Sequence, residues 1–217
     1  MKAVKAVIPY KPENPKSRLS SVFSEKDRKR FLELSLENVL LTLKDAGMKQ
    51  IEILSKSPLH LNEEKQIKSV FTGSDTEITV FTDNRDLNAA VNDYLKKSDC
   101  PILIVMADLA LLTKNDISAM VFDPIFEREF VRIAPGKDGG TNMLYIKKPE
   151  SFEVNYYGES CRKHKEEAER RDLACEIYES FSAASDMDEP KDLESILTHG
   201  KGELQAFVCA SLNKKSS

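Results

Sequence analysis

Acidic and basic side chains recur where an α/β chain would expose them together. The run Ile102-Leu103-Ile104-Val105-Met106 is apolar without alternation, as in a strand buried on both faces of a parallel sheet, and Asp108 follows it. Open α/β sheets bind ligands outside the carboxyl ends of their strands, so Asp108 either holds a metal ion there or starts a turn. Asp186-Met187-Asp188 sets two carboxylates i, i+2 apart just before Pro190. In extended backbone both would lie on one side, as a Mg²⁺ chelate requires; as a double cap they would instead face a helix dipole.

Cations cluster near the front of the chain. Ala3–Ile8 reads as a first buried strand, and the loop after it, punctuated by Pro9, Pro12 and Pro15, carries Lys11, Lys16 and Arg18. The prolines rule out helix and lower the entropy lost on closing around a ligand. Arg18 can fork onto phosphate oxygens while Lys16 acts as a point charge, and the other reading is a solvated surface loop. Asp138-Gly139-Gly140-Thr141-Asn142 either wraps backbone N–H groups and the Thr141 hydroxyl around an anion or simply turns a hairpin. Tyr157-Gly158-Glu159-Ser160 opens a charged helix, with Ser160 as its N-cap, and a helix start also suits an anion. His164 on that helix is expected in solvent, and His60 and His199 have no recognisable partners.

Composition excludes several classes. The 32 basic and 36 acidic residues leave a net charge of −4, which argues against bulk nucleic-acid binding. Cys100, Cys161, Cys175 and Cys209 form no C-x-x-C pair and no zinc pattern with the histidines, so free thiols in a reducing cytosol are expected. The apolar N-terminal run stops at Pro9, too short for a signal peptide or membrane span. No G-x-G-x-x-G follows the first strand and no Walker lysine motif occurs, which disfavours dinucleotide binding and P-loop hydrolysis.

The positioning elements follow from periodicity. Ser24 with Asp27 resembles a capping box, opening a helix to about Ala46 with Gly47 as its stop. Ile51–Leu54 and Ile78–Phe81 are strands; Ser55–Asp75 is polar, with a short strand near Ser69–Phe71. Asp86–Lys97 is helical, and Thr113 with Asp116 caps another helix. Phe130–Ala134 and Asn142–Ile146 are strands, Ser160–Arg171 a helix, Cys175–Phe181 a strand, and Pro190–His199 and Glu203–Leu212 helices. Strands alternating with helices predict one α/β domain spanning residues 1–217, with a mostly parallel sheet.

Taken in order, these pieces resemble a family. Ile8-Pro9-x-Lys11 with Lys16-Ser17-Arg18-Leu19 is similar to the opening of nucleotidyltransferase-like α/β enzymes. Leu87-Asn88-Ala89-Ala90, Ala107-Asp108-Leu109, Asp138-Gly139-Gly140-Thr141-Asn142, Ser160…His164 and Asp186-x-Asp188-x-Pro190-x-Asp192-Leu193 then resemble the CofC/FbiD family, guanylyltransferases of coenzyme F-420 biosynthesis. The likeness spans about Val4 to Leu197. Ala110, Asp86, Cys161 and Glu189 depart from the usual residues, and the Gly158–Ser160 spacing is one residue short.

The resemblance implies a three-layer Rossmann-like nucleotidyltransferase fold of the nucleotide-diphospho-sugar transferase type, with a mixed, mostly parallel sheet. It implies that Pro9, Lys11, Lys16 and Arg18 meet GTP, with Asn88 in the nucleotide pocket. Asp108, Asp186 and Asp188 would hold Mg²⁺, and Thr141, Gly158 and Ser160 would seat the phosphate and carboxylate of 2-phospho-L-lactate or phosphoenolpyruvate. A homodimer is implied as well. The chemistry would be attack of the acid's phosphate on the α-phosphorus of GTP with loss of pyrophosphate. Lys16, Arg18 and Asp108 would be its catalytic groups. A nucleotidyltransferase for another phosphorylated acceptor and a non-catalytic nucleotide-binding subunit are the alternatives.

Overall fold

The computed structural model describes residues 3–13, 15–59, 67–69, 71–122 and 129–213. Its strands are β1 (Lys5–Tyr10), β2 (Gln50–Ser55), β3 (Glu77–Thr82), β4 (Ile102–Val105), β5 (Phe130–Pro135), β6 (Thr141–Ile146) and β7 (Ala174–Ile177). Its α-helices are α1 (Glu25–Asp45), α2 (Leu87–Lys96), α3 (Lys114–Val121), α4 (Ser160–Arg170), α5 (Phe181–Ala184), α6 (Leu193–His199) and α7 (Gly202–Asn213). Single 3₁₀ turns cover Ser17–Ser21, Pro149–Ser151 and Pro190–Asp192.

The strands form one sheet in the order β3-β2-β1-β4-β6-β5-β7. β6 runs antiparallel to both neighbours, and the other pairs are parallel. This is the expected mixed, mostly parallel α/β sheet. Because β1 lies between β2 and β4, the chain winds outward first on one side of β1 and then on the other. The reversal opens a crevice at the carboxyl ends of β1 and β4.

Both faces of the central strands are covered, which explains their unbroken apolar sequence. Ala6, Ile8, Leu103 and Val105 point into a core that α1 closes with Leu36, Val39, Leu40 and Leu43. Val7, Ile102 and Ile104 point the other way, against Val91 and Leu95 of α2 and Ala168 of α4. A third cluster joins Leu19, Phe23 and Phe31 to Met187, Leu193, Ile196 and Val208, packing the C-terminal helices against the front of the chain.

Both expected capping boxes form, Ser24 with Asp27 and Thr113 with Asp116. Three readings need correction. Residues 67–69 are helical and Phe71 lies in a turn, where a strand was expected; His60 lies outside the described residues. β7 ends at Ile177, and Ser180 caps α5 through the Ala183 N–H, so Phe181 starts a helix. Pro190 opens a 3₁₀ turn before α6 because Asp192 folds its carboxylate back onto the preceding backbone. Among the described residues no helix is long and apolar enough to cross a membrane.

Candidate active site

At the carboxyl end of β1 the backbone of Lys16 adopts a left-handed conformation, φ 51° and ψ 46°, just ahead of the turn that buries Leu19. Such a conformation costs a non-glycine residue about 1 kcal/mol and persists where surrounding contacts over-determine it. Here they do. Lys16 Nζ donates to Asp108 Oδ2 at 2.5 Å and to Asp188 Oδ1 at 2.7 Å, and its side chain is 7% exposed. Burial alone would lower the Lys16 pKa; the two carboxylates outweigh it and hold the ammonium above its ordinary value. One lysine thus joins the ends of β1 and β4 to the loop before α6. An ammonium has three donors, so one stays available to a ligand.

Met187 is fully buried in the third cluster, and Asp186 and Asp188 flank it. The loop is held by a contact that no local motif signals. Lys137, in the β5–β6 turn, donates to the Asp186 carbonyl at 2.9 Å and pairs with Asp192 Oδ1 at 2.6 Å. Asp192 Oδ2 in turn accepts the N–H groups of Asp188 at 3.0 Å and Glu189 at 2.7 Å. Asp192, not the aspartate pair, therefore caps this turn. Asp186 Oδ1 is buried with no hydrogen-bond partner, and Lys137 Nζ stands 3.9 Å away. Burial raises the Asp186 pKa, Lys137 opposes the rise, and Asp108 and Asp188 add to it. Among the described residues no three carboxylate, histidine or cysteine groups are gathered tightly enough to enclose a metal ion.

Pro9, Lys11, Lys16, Arg18, Asp108 and Asp188 line one cleft of about 840 Å³. Lys11 and Arg18 are exposed. A second cavity of about 860 Å³ lies beside the first and shares Pro9, Tyr10, Lys11 and Met106 with it. Its walls are Leu54, Leu87 and Ala90, with Asp83, Arg85, Asp86 and Tyr157 as polar groups. Asn88 follows Leu87, and its Oδ1 accepts the Tyr156 N–H at 2.7 Å. That bond makes Asn88 a brace between α2 and the loop before α4.

Thr141, Gly158 and Ser160 also converge. Ser160 Oγ donates to Thr141 Oγ1 at 3.2 Å, both residues are buried, and Gly158 accepts the Ser160 N–H at 2.8 Å. Ser160 is not the N-cap: it is the first residue of α4, with Glu159 in the cap position. Asp138-Gly139-Gly140 is a hairpin turn with Gly139 at φ 77°, and its Gly139 carbonyl accepts the Cys161 N–H of α4 at 3.1 Å.

His164 is 0% exposed, against the expectation of a solvated side chain. Its position four residues after Ser160 and four before Ala168 puts it on the buried face of α4, and reading the helix by that period would have found it. Burial pushes its pKa down to about 4, with Glu167 and Lys163 acting as smaller, opposed influences. In the unfolded chain the ring titrates near 6.5. The folded form keeps it neutral, so this stabilisation is complete above pH 6.5 and is lost as pH falls towards 4. The loss is on the order of 3 kcal/mol at most. Urea unfolding between pH 7 and 4.5 should therefore show a steeper loss in the wild type than in His164→Gln; parallel curves would refute the buried neutral ring.

The chain is similar to known proteins over most of its length. Residues 4–210 match the family model described as guanylyl transferase CofC like. A Methanosarcina mazei protein named 2-phospho-L-lactate guanylyltransferase is 44% identical over 205 residues, covering 94% of this chain and 91% of that one. Its Methanosarcina barkeri counterpart of the same name is 42% identical with the same coverage. A crystal structure from Desulfovibrio desulfuricans, provisionally named a nucleotide-diphospho-sugar transferase, superposes with a TM-score of 0.74 at 16% identity, covering 99% of this chain and 98% of that one. A nucleotidyl transferase from Methanothermobacter shares the fold with a TM-score of 0.62 at 11% identity, over 92% and 98%. The three-layer fold is thus that of the nucleotide-diphospho-sugar transferases, and the chain belongs to the CofC-like guanylyl transferase family.

Proposed function

We propose that this chain, acting as one nucleotidyltransferase domain, joins the GMP moiety of GTP to 2-phospho-L-lactate and releases pyrophosphate, a step in making coenzyme F-420. The observation that carries the reading is Lys16 held between Asp108 and Asp188 at the mouth of the β1/β4 crevice, with Lys11 and Arg18 lining the same cleft. The triphosphate lies along residues 9–18 and the nucleoside extends into the second cavity. The acid is received on the side of Thr141, Gly158 and Ser160. A phosphate oxygen of the acid forms the new bond to the α-phosphorus as the bond to the bridging oxygen of pyrophosphate breaks. The attacking phosphate is already an anion, so no strong base is required.

The difficulty is electrostatic: unit like charges 4 Å apart repel by roughly 4 kcal/mol at an effective dielectric of 20. Lys11, Lys16 and Arg18 offset this and stabilise charge gathering on the leaving group. The donor set of Asp108, Asp186 and Asp188 suits Mg²⁺ in being all hard oxygen, and the buried Asp186 Oδ1 makes no hydrogen bond, its ion-pair contact being the Lys137 ammonium 3.9 Å away. When bound, Mg²⁺ would neutralise phosphate charge beside these carboxylates. We take the enzyme to be a cytoplasmic homodimer, which light scattering on the purified protein checks.

The direct test crosses each nucleoside triphosphate with 2-phospholactate, phosphoenolpyruvate and other small phosphorylated acids, reading pyrophosphate. Release with GTP and 2-phospholactate is expected; none with any pair would leave a nucleotide-binding subunit. The Lys137–Asp192 brace makes a further expectation. Lys137→Ala removes the donor holding the Asp186 carbonyl and should lower kcat about tenfold at a stability cost near 1 kcal/mol. Unchanged turnover in that variant would show that the loop keeps its shape unaided.

A further inference from the structure

The cluster where β6 meets α4 specifies its own proton positions. The backbone N–H of Asn155 donates to His164 Nε2 at 3.0 Å, so that nitrogen carries no proton. A neutral imidazole has one donor and one acceptor nitrogen, hence Nδ1–H donates to Thr141 Oγ1 at 2.9 Å. Ser160 Oγ donates to the same oxygen at 3.2 Å. A hydroxyl has two lone pairs and one proton. Both lone pairs of Thr141 are taken, and among the described residues none accepts its O–H. Phe152 and Tyr156 flank the imidazole, with ring centroids 6.0 and 5.0 Å away, and hold its plane.

We propose that His164 is a positioning residue which makes Thr141 an obligate hydrogen-bond donor towards an anionic oxygen of the phosphorylated acid. The ring touches no substrate and acts through Thr141. Such a site favours a deprotonated oxyanion and offers nothing to a ligand group that can only donate. The inference rests on the acceptor placement given above, and the experiment separates the two.

Acceptor and GTP kinetics are measured for His164→Leu, His164→Asn, Thr141→Val and the His164→Leu/Thr141→Val double variant. An asparagine amide nitrogen can stand in for Nδ1–H. His164→Leu should raise the acid's KM at least tenfold while the KM for GTP moves less than twofold, and His164→Asn should recover most of the loss. In the Thr141→Val background His164→Leu should add nothing, since its target is gone; a merely structural histidine would give additive losses. Nitrogen-15 spectra of the wild type give a readout that needs no variant to fold. The Nδ1–H tautomer should be seen, and its signal should shift on adding 2-phospholactate but not GTP. Additive losses, an Nε2–H tautomer, or an unmoved signal in a protein that turns the acid over would overturn this proposal alone. Absence of turnover together with an unmoved signal would overturn the acceptor placement with it.

Discussion

Lys16→Ala should lower kcat/KM for GTP by roughly a thousandfold, through both a slower kcat and a higher KM. The size follows from position. Lys16 is the least exposed cation of the cleft, and its third donor can reach a phosphate while the other two hold Asp108 and Asp188. Removing it deletes a transition-state contact and leaves two carboxylates without their shared cation. Those carboxylates are 25% and 35% exposed, so water screens them and the folded state should lose only about 1 kcal/mol. Activity and stability are thereby separable: pyrophosphate release collapses while the urea midpoint barely moves. Lys16→Arg should recover little, because a planar fork does not reproduce a point charge between carboxylates from two separate loops. Losing the competing ammonium should also tighten Mg²⁺ binding by the carboxylates, read as a larger Mg²⁺-induced rise in Tm than the wild type shows. A defect confined to the KM of the acid would move Lys16 out of the triphosphate site.

What was legible beforehand had a local cause. The unbroken apolar run at Ile102 marked a strand covered on both faces, and Asp108 does emerge at its carboxyl end. Ser24/Asp27 and Thr113/Asp116 set helix starts through bonds three residues apart, and both formed. The rest depends on tertiary contact. Nothing near Lys137 announces that it holds the loop of Asp192, because those residues meet only once the β5–β6 hairpin has folded against the C-terminal segment. The burial of His164 was readable from helical period, but the charged residues around it on α4 masked the pattern. Composition alone extends β7 to apolar Phe181, whereas the Ser180 cap ends the strand earlier and decides the backbone.

Asp108→Asn tests the acidic half of the same arrangement. Asparagine keeps the shape of aspartate, and the turn after β4 is held by backbone, the Ala110 N–H donating to the Asp108 carbonyl at 3.0 Å. The fold should therefore survive with its circular dichroism unchanged and its Tm within a few degrees. Turnover should not. The variant leaves Lys16 with Asp188 as its one anionic partner and takes a charge from the carboxylates proposed for Mg²⁺. Losses of at least a hundredfold in kcat, about 3 kcal/mol, are expected. Raising Mg²⁺ should recover part of the rate if the carboxylate serves the cation, and none if it serves only to orient Lys16. Asp188→Asn separates the roles further. When both aspartates act on Lys16 and one cation, the double variant should be hardly worse than either single change, because groups acting as a unit are strongly non-additive. Wild-type turnover by Asp108→Asn at saturating Mg²⁺ would remove Asp108 from the chemistry and leave it as the end of a strand.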